Sequence, residues 1–189
     1  GHNAKWSNQP VEAPRREATP VEIAALLMDA VCTPTEREQT ALAELAVHLG
    51  VDRGHLQSEL MLLRAFAVDF ATAMTLGQTP ARRAILMRIY QHWERLDREV
   101  GAGLLEDLQE HLALYGEAVG TVGGDKAGLS ALVGRAFAQC CRGGERGEDL
   151  ALLGGSMFGA FFEEIADLFD NLDVALAPGE GEEEAFDAN

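Results

Sequence analysis

The stretch LQSELMLLRAFAVDFATAMTL, residues 56–76, carries the strongest structural signal in this chain. Apolar side chains cover almost its whole circumference, and only Arg64, Asp69, Thr72 and Thr75 interrupt them after residue 60. A helix that is apolar nearly all round either lies in a protein core or spans a membrane. Because Arg64 and Asp69 leave no uncharged run near the ~20 residues that a span requires, the stretch predicts the central buried helix of a bundle.

Length and composition agree with this architecture. The chain of 189 residues is long enough for one domain with a sizeable core. Aromatic residues make up only 6% of it, and the abundance of Ala and Leu is typical of helical proteins. We therefore predict an all-α, single-domain bundle of about seven helices, in which the helix over residues 148–176 packs across the central one.

The ends of the chain differ in composition from its middle. Residues 1–18 are polar and show no periodicity, which predicts a flexible N-terminal arm with Trp6 as its one large apolar side chain. The all-helical domain is expected over residues 19–177, with a candidate subdomain boundary in the glycine-rich segment 116–125. Residues 178–189 are acidic and predict a disordered tail.

Threonine residues mark the predicted beginnings of three helices. Thr19 and Thr33 are each followed by proline and, three residues after the threonine, by glutamate. This pattern is a capping box with proline at the first helical position, and it predicts helices over residues 20–32 and 34–49. Thr79 repeats the signal without the glutamate.

The net charge of −16 is concentrated in the second half of the chain. Residues 1–100 carry 11 basic and 13 acidic side chains, whereas residues 101–189 carry 4 and 18. Such a field repels nucleic acid and anionic lipid, so we expect neither a nucleic-acid nor a membrane partner. Against this negative background, one candidate basic patch lies on the predicted helix over residues 80–99. The patch consists of Arg82, Arg83, Arg88 and Arg95. It is either a solvated face that pairs with the acidic second half of the chain or a site for an anionic ligand.

The segment ALAELAVHLGVDRGHLQSEL, residues 41–60, has the spacing of a helix-turn-helix with Gly50 at the turn. Two features oppose a DNA-binding role. Glu59 takes a position that is normally apolar, and the segment has almost no basic side chains for phosphate contacts. We interpret it as two core helices that turn at Gly50.

The three cysteines do not predict a disulfide framework. Cys32, Cys140 and Cys141 are odd in number, and two of them are adjacent. No signal-peptide pattern is present at the N-terminus, so we expect a cytoplasmic location. Cys140 is expected to be buried and Cys141 partly exposed, with redox sensing as the alternative role for the pair.

No catalytic or metal-binding motif stands out. Asp107 and His111 are four residues apart on a predicted helix, a spacing that lets both reach one metal ion. Two ligands do not make a site, however, so we predict no catalytic residues, no metal and no cofactor.

Small residues recur every fourth position in the stretch LALLGGSMFGAFF, residues 150–162. Ala151, Gly155 and Gly159 form a smooth strip that lets another backbone approach closely. This candidate interface strip contacts either the central helix or its own copy in a homodimer, and the sequence does not separate the two.

Long apolar helices without clustered catalytic residues favour a non-catalytic protein-interaction module: an adaptor, a regulator or a dedicated chaperone. The alternative is a helical sensor or carrier that binds an apolar small molecule between helices. An exposed groove or a dimer face would favour the first, and a closed cavity the second. The predicted lining of that cavity is Phe66, Phe70, Phe137, Met157, Phe158 and Phe161.

Overall fold

The computed structural model describes residues 15–120 and 126–182, and within these ranges the chain is almost entirely helical. The predicted all-α class is confirmed, with one pair of three-residue strands besides. The elements are β1 (Arg16–Ala18), α1 (Pro20–Cys32), α2 (Glu36–Leu49), α3 (Arg53–Leu76), α4 (Pro80–Val100), α5 (Leu104–Val119), α6 (Lys126–Cys140), a 3₁₀ turn (Gly144–Arg146), α7 (Gly147–Asp170) and β2 (Leu172–Val174).

The central position predicted for α3 is confirmed, because its two faces belong to two different core clusters. The first face packs against α2, α5, α6 and α7 through Leu56, Leu60, Leu63, Phe66 and Ala67. The second packs mainly against α1 and α4 through Leu62, Ala65, Val68 and Ala71. Met74, in the last turn, is 66% exposed and belongs to neither cluster. The first cluster joins helices before and after residues 116–125, so α6 and α7 share their core with the rest of the bundle.

The predicted N-caps Thr19 and Thr79 each accept a hydrogen bond from the backbone N–H three residues on. The prediction for α2 was two residues too early. Its N-cap is Thr35, which forms a complete capping box with Glu38. The N–H of Thr33 instead donates to a carbonyl in the last turn of α1, so that residue closes one helix rather than opening the next.

The two ends of the described chain meet in a parallel ladder. Arg16–Ala18 of β1 pairs with Leu172–Val174 of β2, and the N–H of Ala175 donates to the carbonyl of Ala18 at 2.9 Å. The predicted helix to residue 176 was therefore too long, because α7 ends at Asp170. Residues 16–18, assigned to the arm, form a strand instead. Trp6 and residues 183–189 lie outside the described residues.

The strip of small residues on α7 packs against α6. A Cβ on Gly155 would lie 2.8 Å from the carbonyl oxygen of Ser130 in α6, and one on Gly159 would lie 3.4 Å from the Oγ of the same serine. From the other side, a Cβ on Gly134 would overlap the backbone carbonyl of Ala151. The close approach is real, but its partner is α6 within the same chain, which neither sequence-based alternative named.

Candidate functional site

An open groove of about 460 Å³ lies between α3, α4 and α5. Trp93 and Leu108 are buried at its base, whereas Met87 and Tyr90 stand 59% and 45% exposed. The lining is mostly apolar and consists of Ala65, Val68, Asp69, Arg83, Leu86, Met87, Ile89, Tyr90, Trp93, Leu108 and Leu112. The bundle thus leaves apolar side chains facing solvent along one side.

The groove arises because α4 carries two apolar rows. One row points into the core through Ile85, Ile89 and Trp93, all of which are buried. A second row, offset by one position and containing Leu86 and Tyr90, faces the groove at the spacing of successive helical turns. At 1.5 Å per residue, the α4 wall spans about 15 Å, or roughly three helical turns.

Two charged side chains, Asp69 and Arg83, line the groove. Burial raises the pKa of the Asp69 carboxyl, and the nearby Arg82 guanidinium partly offsets this rise. The Nε–H of Arg83 donates to the carbonyl of Gly181 at 2.6 Å, which holds the C-terminal segment against the beginning of α4. The groove therefore has an acidic group on its α3 wall and a tethered cation on its α4 wall.

The four arginines of the predicted basic patch have separate neighbours. Arg82 lies beside Asp69, Arg83 holds the C-terminal segment, and Arg88 donates to the Oε1 of Gln91 at 3.5 Å. Arg95 is exposed. Arg83 contacts the C-terminal segment through a backbone carbonyl rather than through an acidic side chain, so pairing of the group with the acidic half and an anion-binding role both stay predictions.

The six residues of the predicted apolar pocket come together in the first core cluster. Three of their aromatic rings pack on one another: the centroid of Phe66 lies 5.7 Å from that of Phe70 and 5.8 Å from that of Phe158. Phe66, Phe137 and Phe158 are buried. None of the six lines the groove, and a ligand among them stays a prediction.

A polar cluster interrupts the same apolar core. It consists of Glu59 from α3, His111 and Tyr115 from α5, and Cys140 from the last turn of α6. The ligand atoms of Glu59, His111 and Cys140 all lie within 4.8 Å of one another. Glu59 is only 7% exposed and Tyr115 is fully buried, so neither side chain can rely on solvent for its hydrogen bonds.

Both imidazole nitrogens of His111 have oxygen partners. Nδ1 lies 2.7 Å from the backbone carbonyl of Asp107, and Nε2 lies 2.9 Å from the Oε2 of Glu59. Hydrogen bonding to Cys140 and to Glu59 outweighs partial burial and raises the pKa of His111 to about 10. The pairing of His111 with residue 107 is thus real, but through the main chain rather than through the carboxylate considered from the sequence.

The Tyr115 hydroxyl is the least satisfied group of the cluster. It is buried, and no described residue offers it a hydrogen bond of acceptable geometry. Burial, followed by the nearby Cys140 and Glu59, raises its pKa. The adjacent Cys141 is 5% exposed and its pKa rises to about 12 through burial and the same neighbours. The exposures predicted for the two cysteines were reversed, because Cys140 is the half-buried one that faces α5.

Sequence reasoning missed this cluster as a unit. Glu59 and His111 lie 52 positions apart, so no spacing motif relates them. The signal was present only in fragments: a glutamate at an apolar position of α3, and a cysteine on the apolar face of α6. The helix crossing that joins the fragments is a property of the packed bundle.

Comparison with protein-family models, with curated proteins and with solved structures gives no match for this chain. Among the described residues, no helix combines the length and apolarity needed to cross a bilayer. The functional conclusion therefore depends on the groove and the polar cluster themselves.

Proposed function

We propose that the chain is a non-catalytic protein-interaction module, and that the α3–α4–α5 groove binds the apolar face of a short helix from a partner protein. The observation that carries this proposal is the exposure of Met87 and Tyr90 on the rim of an apolar groove. Apolar side chains that the chain itself does not cover mark interaction sites. Helix-in-groove docking is a common way to cover them.

The dimensions and charge of the groove define the partner further. A wall of about 15 Å accommodates roughly three turns of a helix, with apolar anchors on one face. The net charge of −16 steers a basic segment toward the protein as a whole, although most of that charge lies after residue 100 and the α4 wall itself carries Arg83. A cation on the bound helix would also meet Asp69, whose carboxylate is partly buried. The partner segment is therefore an amphipathic, basic helix.

A second candidate occupant is an apolar small molecule, as in a carrier or sensor. The groove volume of about 460 Å³ lies within the range of small-molecule sites. The openness of the groove favours the helix, since ligand pockets usually bury most of the ligand surface. A second copy of the chain, in a homodimer, is the remaining protein partner.

Tryptophan fluorescence can report binding at the groove. It has two tryptophans, Trp6 and Trp93, and the second lies at the base of the groove. In a Trp6→Phe background, we would titrate an amphipathic Leu/Lys helical peptide of about twelve residues and follow Trp93 emission. The expected result is a saturable change that a scrambled peptide of the same composition does not produce.

Two variants locate the binding. Tyr90→Ser should weaken peptide binding at least tenfold, since it removes the apolar ring from the rim without adding a charge that the lysines could pair with. Leu152→Ser, at a 71% exposed position of α7 away from the groove lining, is the matched control and should bind normally. Equal binding of both peptides, or equal loss in both variants, would contradict the proposal. Saturation by a fatty acid but not by the peptide would favour the small-molecule carrier, and concentration-dependent sedimentation lost in Tyr90→Ser would favour the homodimer.

A further inference from the structure

Three side chains of metal-binding types, each from a different helix, lie close together in the core. Glu59 from α3, His111 from α5 and Cys140 from α6 place a carboxylate oxygen, an imidazole nitrogen and a thiol sulfur within 4.8 Å of one another. One ligand from each helix is an arrangement that a helical bundle uses when it builds a metal site in its core. The mixed O, N and S donors belong to transition metals rather than to Mg²⁺ or Ca²⁺, which prefer oxygen ligands.

Both ring nitrogens of His111 face oxygen acceptors, and a neutral ring has only one N–H to donate. When Nδ1–H donates to the carbonyl of Asp107, the lone pair of Nε2 points at the Glu59 carboxylate, 2.9 Å away. Two acceptors at that distance need a proton or a metal cation between them. Donation from the other ring nitrogen to a backbone carbonyl is also how proteins commonly orient a metal-binding histidine.

Tyr115 gives an independent indication. Its hydroxyl is fully buried beside Glu59, and its contact with Cys140 falls short of acceptable hydrogen-bond geometry, so no described residue gives it a well-formed hydrogen bond. Native proteins rarely leave such a group unpaired. A water or other small ligand on a metal at this point would give the hydroxyl a partner.

We propose that Glu59, His111 and Cys140 form a binding site for a divalent transition metal, with Zn²⁺ as the ion that best fits the donor set. Zinc binds Cys, His and carboxylate ligands together, and three protein ligands leave a fourth position for water or an incoming group. Tyr115 is the residue placed to contact that fourth ligand. The ion would cross-link α3, α5 and α6, and so support the first core cluster.

Cobalt titration of the metal-free full chain tests this site directly, because tetrahedral Co²⁺ bound to a thiolate has charge-transfer and visible d–d absorption. We expect saturation at one equivalent and displacement of the signal by Zn²⁺. Cys140→Ser should lose the charge-transfer band, and His111→Ala should weaken binding by more than the roughly 10–100-fold that a lost outer contact produces. Cys32→Ser, a half-buried thiol outside the cluster, is the matched control and should keep the full spectrum.

Thermal unfolding of the unmodified chain distinguishes a true metal effect from misfolding of a variant. Zn²⁺ should raise its Tm and a chelator should reverse the rise, because an ion that binds only the folded state stabilises it. The absence of saturable Co²⁺ binding together with an unchanged Tm would overturn the proposal. So would a charge-transfer band that survives in Cys140→Ser, since that outcome would place the metal at another thiol.

Discussion

The two faces of α3 differ in how completely the surrounding side chains are buried. On the closed side, which faces α5, α6 and α7, the aromatic rings are packed away and polar groups such as Glu59 and Tyr115 are enclosed with them. On the open side, which faces α4 and the groove, Met87 and Tyr90 stay exposed. The closed side holds polar groups where a core would be apolar, and the open side exposes apolar groups where a surface would be polar. Each departure marks a candidate site, and the two call for different partners: a cation and an apolar helix.

The largest effect is expected from truncation of a closed-side ring. Phe158→Ala should lower the free energy of unfolding by about 4 kcal/mol, because a buried phenylalanine leaves a cavity that the bundle fills only in part. Urea unfolding followed by circular dichroism measures the change. Leu152→Ala, 71% exposed on the same helix, is the control and should stay within about 0.5 kcal/mol. A loss below about 1 kcal/mol for Phe158→Ala would favour the apolar pocket predicted from the sequence over the packed cluster.

The next largest change in stability is expected where α6 contacts α7. Gly155→Leu should destabilise the chain by about 3 kcal/mol, because its side chain meets the backbone of Ser130, which has little freedom to move. Gly116→Ala is the opposite control: a Cβ there meets nothing within 4 Å, so a gain of roughly 0.5–1 kcal/mol is expected. Thermal and urea unfolding of both variants provide the comparison. Unchanged stability with altered sedimentation in Gly155→Leu would instead make the strip a seam between two copies.

Removing the carboxylate from the polar cluster should have an intermediate effect. In the presence of a chelator, Glu59→Ala should cost about 2 kcal/mol, because His111 then loses its charged hydrogen-bond partner. Glu110→Ala, the exposed neighbour of His111 on α5, should change stability by less than about 0.5 kcal/mol. The same urea unfolding assay applies to both variants. Equal effects at the two positions would mean that the enclosed carboxylate has no special role on the closed side.

The smallest effect on stability is expected on the open side. Met87→Ser should change the free energy of unfolding by less than about 0.5 kcal/mol, since this side chain already contacts solvent. Ile89→Ser, two positions further on the buried row of α4, should be clearly destabilising. Differential scanning calorimetry of the pair reports both. A strong loss in Met87→Ser would mean that the groove is closed in solution by part of the chain itself.

The sequence predicted α3 well because its apolar character does not depend on its neighbours. The helix beginnings at Thr19 and Thr79 were equally local and equally predictable. The beginning of α2 failed for a reason that is also local. Thr33 and Thr35 both stand three residues before a glutamate, so two overlapping capping boxes compete. Only the hydrogen bond from Thr33 back to α1 decides between them.

Neither candidate site was predictable from the sequence, because each depends on how helices cross. The polar cluster joins side chains that lie far apart along the chain. The groove depends on the distance between α4 and α5, which no periodicity encodes. Gly155 illustrates the limit: its spacing predicted a close backbone approach, which is present, but not that the approaching helix is α6.

The chain contains two tyrosines, one on each side of α3, and they test the contrast most directly. Tyr90 is 45% exposed in the groove, whereas Tyr115 is fully buried in the polar cluster. Hydroxyl-radical footprinting read by mass spectrometry measures the access of both side chains in one sample. We expect rapid modification of Tyr90 and protection of Tyr115 until the chain is unfolded by urea. Equal modification of the two in the folded chain, or protection of Tyr90, would contradict the division into a closed side and an open side.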